Sequence, residues 1–224
     1  MPWPPKHIAL VGVELEGGWK VAPNHPMHTD VSVTVRGPYV GEVSSPPMPA
    51  TEVLDWMVRP DIYPDYGNGS CGMHVHISTK DNNTFAWLME KEFYKAFLQA
   101  MQKWGNEKRI PLTDPFWLRL NGKNRYCRAE FKPMEQYRSL DRELRRTQLN
   151  FCSYSQHGTM ECRMFPLFSS PRLGRSAVKA YLTFIDDWLE NNMTEEVKDP
   201  IAVYREAFDM KPFRINIERT IECS

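Results

Sequence analysis

An α+β fold, with strands gathered early and helices later, is what this 224-residue sequence predicts. Three observations carry that expectation. The first 80 residues, with SCGMHVHIS at 70–78 among them, read mostly as strands, rich in alternation and β-branched side chains. Residues 84–104 and 171–191 repeat apolar side chains at helical spacing. No linker, internal repeat or low-complexity tract divides the chain, so residues 1–224 read as a single domain, and a 42% hydrophobic composition is enough for its own core.

The elements follow in order. Residues 7–16 alternate, with Ile8, Leu10, Gly12, Glu14 and Glu16 on one face. Residues 30–36 are rich in Val and Thr and predict a second strand. Residues 39–45 predict a third, stopped by Pro46 and Pro47. A short helix over 51–58 carries Val53, Leu54 and Met57, with Pro60 beyond it. A Gly-Asn-Gly loop leads into the strand at 70–78. The helix over 84–104 lines up Phe85, Leu88, Phe93, Phe97, Met101 and Trp104. Short strands are expected near 117–120 and 126–131, then a charged helix over 135–150 and a strand over 158–167. Pro171, behind a Ser170 cap, opens a helix running to about Asn191, and Asp199-Pro200 starts a last one.

Bulk properties exclude several function classes. Twenty-eight basic and 28 acidic residues cancel, so the strongly basic footprint of a nucleic-acid binder is missing. No run of 18 apolar residues suggests a membrane span. The opening MPWPPKHIALVGVELEGG has only a short apolar run ending in two glutamates, which does not suit a secretion signal. Five cysteines without paired spacing predict free thiols in a reducing compartment, the cytoplasm of a cell or of an infected host cell.

Four stretches place polar groups on one strand face. In SCGMHVHIS, His74 and His76 leave the same side, with Ser78 beside them. In GVELEGG, Glu14 and Glu16 share a face, as do Glu161 and Arg163 in GTMECRMFP; Glu42 sits in GEVSSPP. Each has a plain explanation on its own: a solvated edge strand, an exposed glutamate, a cross-strand ion pair, two hydrogen-bonded core histidines. Together they suggest converging faces, because buried carboxylates must be paired, protonated or bound to metal. Glutamates are hard oxygen ligands suited to Mg²⁺ or Mn²⁺. Cys71 with His74 and His76 keeps a zinc-dependent hydrolase open as an alternative, and a non-catalytic nucleotide-binding domain is another.

The order Glu-x-Glu, Glu, Asn-Gly-Ser-x-x-Met-His-x-His, Glu-x-Arg-x-x-Pro resembles the catalytic domain of glutamine synthetase. GNGSCGMHVHIS is similar to that enzyme's glycine-rich strand with one residue inserted, and MECRMFPLFSSPRLGRSAVKAYLTFI to its Glu-x-Arg strand, proline loop and helix. GEVSSPP, NRYCR (124–128) and RTQLNF resemble a smaller branch, the amidoligases. The resemblance implies a largely antiparallel curved sheet with helices on its outer face, without the N-terminal β-grasp domain of glutamine synthetase. It implies an ATP-dependent carboxylate–amine ligase with two Mg²⁺ or Mn²⁺ ions, acting on small-molecule or peptide carboxylates and amines through an acyl phosphate. Related sheets also serve glutamate–cysteine ligases and guanidino kinases. Residue by residue, Glu14, His74 and Glu161 would hold one cation, and Glu16 and Glu42 the other. His76 and Ser78 would lie towards the ATP phosphates. Arg163 would hold the transferring phosphoryl group or the substrate carboxylate. Arg125 matches a family arginine with the same role, and Arg128 is a further candidate; surface charges are the plain reading of both.

Overall fold

The computed structural model describes residues 3–129 and 146–198. Its centre is a six-stranded sheet in the order β2-β3-β1-β4-β8-β7, every adjacent pair antiparallel. The strands are β1 (Ile8–Trp19), β2 (Met27–His28), β3 (Tyr39–Ser44), β4 (Gly72–Thr79), β7 (Leu149–Asn150) and β8 (Met160–Pro166); β5 (Lys123–Asn124) and β6 (Cys127–Arg128) form a separate hairpin. Among the described residues six helices accompany them: α1 (Ala50–Trp56), α2 (Asn82–Leu88), α3 (Lys91–Glu107), α4 (Pro115–Leu120), α5 (Cys152–His157) and α6 (Pro171–Asn192). The architecture is the expected α+β one.

Strand alternation explains which face carries the core. Val11, Val13 and Leu15 of β1, Met73, Val75 and Ile77 of β4, and Cys162 and Met164 of β8 are fully buried. They join one cluster with Ala177, Val178, Tyr181, Leu182 and Ile185 of α6 and Phe93, Phe97 and Met101 of α3. The intervening residues, Glu14, Glu16, His74, His76, Glu161 and Arg163, therefore leave from the other face. Among the described residues, Cys71, Cys127 and Cys162 are free and buried, and no helix is long and apolar enough to cross a membrane.

Several local expectations are corrected. Residues 30–36 form a turn and loop instead of a strand: the Ser32 amide donates to the Asp30 carboxylate (2.7 Å) and the Val33 amide to the Asp30 carbonyl (3.2 Å). An Asp side chain that satisfies the backbone locally competes with sheet pairing. Residues 117–120 lie in α4, because Asp114 caps the Phe116 amide at 2.8 Å and Pro115 fits the first turn. The single helix over 84–104 is two, α2 and α3, divided at Met89 and Glu90, where Glu90 pairs with Lys198. Residues 146–150 belong to a bridge and β7, not to a helix, and α5 follows where no element was expected. The strand expected over 126–131 shrinks to β6, and its last two residues, residues 135–145 of the charged helix and the helix expected from Asp199 lie outside the described residues.

Candidate functional site

Strand pairing assembles the site from the four polar stretches. The register sets Glu16 against Glu42 on β3, Glu14 against His74 on β4, His76 against Glu161 on β8, and Glu161 against Asn150 on β7. Neighbours across strands are close enough for their side chains to meet. The result is a polar band running across five strands on the face away from the core. It lines a cavity of about 460 Å³ with Glu14, Glu16, Glu42, His74, His76, Glu161 and Arg163, joined by His28, Thr29, Asp30, Ser32, Arg146, Asn150, Ser153 and His157. That volume is of the size that takes a small molecule.

The groups are held in a network. His74 Nδ1 lies 3.1 Å from Glu14 Oε2 and 3.5 Å from Glu161 Oε1, and its Nε2 lies 3.7 Å from Glu16 Oε2. The Gly72 amide donates to Glu16 Oε2 at 2.6 Å, and the Asn150 amide to Glu161 Oε2 at 2.5 Å. Arg163 pairs with Glu161 through Nη1. Ser44 donates to Glu42 at 2.8 Å. His76 Nε2 is 3.1 Å from Glu14 Oε1, near enough for a charge contact but outside hydrogen-bond geometry, so this buried nitrogen and Arg163 Nε both lack a hydrogen-bond partner. Orphaned buried polar atoms at a cavity wall are what a ligand would satisfy. A Cβ on Gly72 would stand 2.7 Å from His74 Nε2 and 3.1 Å from Glu16 Oε2, so a larger residue here would displace these side chains.

Among the described residues, three sets each bring their ligand atoms within 4.8 Å of one another: Glu14, His76 and Glu161; Glu14, Glu42 and His74; and Glu16, Asp30 and Glu42. The donors are mostly carboxylate oxygens, a set that fits Mg²⁺ or Mn²⁺. Glu16 and Glu42 fall together, as the sequence resemblance implies, with Asp30 added from the turn. Glu14 and Glu161 also fall together, but with His76 as the third member in place of the expected His74, which groups with Glu14 and Glu42. Cys71 belongs to none of these sets. It has the opposite strand parity from His74 and His76; its sulfur accepts from the Asn68 backbone amide (3.5 Å) and its thiol donates to the Asn68 side-chain oxygen (3.8 Å).

The remaining site candidates lie elsewhere. Ser78 lines a neighbouring cavity of about 410 Å³ that shares Glu14, His76 and His157 with the first. Arg125 stacks over the Tyr126 ring at 4.6 Å and donates to its hydroxyl, and it lines neither cavity. Arg128 also lines neither; its amide donates to the Arg146 carbonyl at 2.8 Å, which brings Arg146 to the cavity instead. Asp30, Arg146 and Asn150 were not foreseen. The only hint in the sequence is Asn150, at the end of RTQLNF; Asp30 sat in an apparent strand and Arg146 in an apparent helix.

Charge balance in the network sets a pH dependence. Burial and the neighbouring Glu14 charge push Glu42 up to about 7 from 4.5. Burial opposes the charged form of His76, but Glu14 and Glu161 outweigh it and raise the ring above 6.5. Burial likewise opposes ionisation of Glu14 and Glu161; contacts with His74 and His76 for the first, and the charges of Arg163 and the histidines for the second, hold both below 4.5. The signs are then fixed. The Glu42 penalty grows as pH rises from 4.5 to about 7, and the His76 contribution is lost as pH rises above 6.5. The Glu14 and Glu161 contributions are lost as pH falls below 4.5. The melting temperature in chelator should therefore peak at weakly acidic pH and fall towards pH ~8, and added Mg²⁺ should flatten that fall. Thermal melts across pH with and without the cation measure this; a Mg²⁺-independent profile rising towards ~8 would oppose it.

Comparison of the chain with known protein families, curated proteins and solved structures gives no match.

Proposed function

We propose that this protein is an ATP-dependent carboxylate–amine ligase, its catalytic domain arranged like that of glutamine synthetase and the amidoligases. The observation that carries the proposal is the concentration of Glu14, Glu16, Asp30, Glu42 and Glu161, two histidines and the Arg163 fork around one cavity on one sheet face. So many carboxylates in a small space repel one another, and bound divalent cations relieve that repulsion. The position of Cys71, away from His74 and His76, removes the soft ligand that a zinc hydrolase of these residues would use.

The chemistry needs two partners held together. Transfer of the γ-phosphoryl group to a carboxylate oxygen gives ADP and an acyl phosphate. An amine then attacks the acyl carbon and expels phosphate, losing a proton as the amide forms. Cations bound by the carboxylates would supply charge neutralisation for the phosphates. Within the chain, Glu14 and Glu161 fix the ligand geometry from β1 and β8. Arg163 presents a guanidinium locked by Glu161, a rigid donor for a phosphoryl or carboxylate oxygen. His76, whose Nε2 lies 3.1 Å from Glu14 Oε1, would face the phosphates beside the cation held by Glu14 and Glu161.

ATP binding should depend on Mg²⁺ or Mn²⁺, and calorimetry in the presence of cation or chelator tests it; equal affinity in chelator would count against the two-cation site. Turnover is tested by adding hydroxylamine with panels of carboxylates. A trapped hydroxamate supports the ligase, a phosphorylated guanidine points to kinase chemistry, and ATP binding without either product leaves a nucleotide-binding domain.

A further inference from the structure

Arg119 is fully buried, yet among the described residues no carboxylate forms an ion pair with it. A guanidinium stays charged inside a protein, so this placement is costly unless its donors and its charge are answered. Two backbone carbonyls answer the donors: Nη1 donates to Arg163 at 3.0 Å and Nη2 to Cys71 at 3.1 Å, while Nε has no hydrogen-bond partner. The charge is answered through the second of these. The peptide whose carbonyl Arg119 grips is the one whose N–H, on Gly72, donates to Glu16 Oε2 at 2.6 Å. Guanidinium, peptide and carboxylate thus form one aligned chain, in which each hydrogen bond polarises the next.

We propose that Arg119 is a positioning residue for the cation site: it fixes Glu16 through the Cys71–Gly72 peptide and, by its other arm, the strand segment that bears Arg163. The inference rests on the reading of Glu16, Asp30 and Glu42 as cation ligands. Three features on the page make the relay rigid. Asp114 caps α4, the helix that carries Arg119. Gln148 donates to the Arg119 and Leu120 carbonyls at 2.7 and 2.6 Å. A Cβ at position 72 would stand 3.1 Å from both Arg119 Nη1 and Glu16 Oε2, so glycine lets the two side chains pack closely on this peptide. Partners that orient metal ligands from behind are worth roughly 10–100-fold in metal affinity.

The test is a double-substitution cycle read by Mn²⁺ binding to the full chain, with no nucleotide present. Arg119→Met should weaken the tightest Mn²⁺ site roughly 10–100-fold in otherwise wild-type protein and change it less than about twofold in Glu16→Gln protein. Arg119→Lys, which keeps the charge but not the two-armed fork, should fall between Met and wild type. It also carries the cycle if the methionine variant does not fold. A purely structural role would lower the melting temperature and leave Mn²⁺ affinity of the folded protein unchanged; that result, or an equal loss in both backgrounds, overturns the proposal. Wild-type protein that binds no Mn²⁺ would instead overturn the cation reading itself, and this inference with it.

Discussion

If the proposed ligase activity is present, Glu161→Gln should lower its turnover by on the order of 10²–10³-fold while leaving a folded protein. Glu161 is buried on β8, opposite His76 in the register, with one oxygen bound by Arg163 and the other by Asn150. Glutamine keeps the shape but removes the charge that would hold a cation and orient the Arg163 fork. Alanine is a poorer probe. It leaves the part-buried Arg163 guanidinium without its partner, which destabilises the fold, so lost activity would be confounded with lost folding. The measurement pairs steady-state turnover with a melting curve. A glutamine variant that is well folded and fully active would show the Glu161 charge to be dispensable, and one inactive only because it melts far below wild type would show Glu161 to be structural.

The second large effect is expected at Glu14. It belongs to two of the ligand sets, with His76 and Glu161 in one and Glu42 and His74 in the other. Glu14→Gln should therefore weaken cation binding at both, not at one, by more than about tenfold each. It should also relieve Glu42, whose ionisation Glu14 opposes. The loss of stability of the cation-free protein between pH ~6 and ~8 should become shallower in the same variant. Mn²⁺ titration followed by calorimetry reads the first effect, and chelator melts read the second. Loss of a single site with the other intact would mean that Glu14 does not bridge the clusters. The two histidines it touches belong to different sets: His76→Ala should weaken chiefly the site shared with Glu161, and His74→Ala the one shared with Glu42. Equal shifts in both would show that the rings share one role.

Much of the site was legible because a strand has a period of two. Glu14 with Glu16, His74 with His76, and Glu161 with Arg163 are each two residues apart, so each pair had to share a face once its segment was extended. The apolar residues between them, Val13, Leu15, Met73, Val75 and Cys162, decided which face was buried, and the opposite one was left to the charges. The same local logic placed Pro171 at the start of α6. It failed where side chains bond to their own backbone: Asp30 and Asp114 turned a predicted strand into a loop and another into a helix.

What only the tertiary structure decided is which strands lie side by side and in what register. Glu42 meets Glu16, His74 meets Glu14, and Asn150 meets Glu161 across separations that no local periodicity spans. Pairing of distant segments is chosen by burial of the whole core face at once, since a slip of one residue would turn every side chain of a strand to the wrong side. The sequence by itself therefore determined which residues could face a common site. The fold decided that Asp30 and Arg146 join them, that Cys71 and Arg125 do not, and that Arg119 reaches Glu16 through a peptide group from the far side.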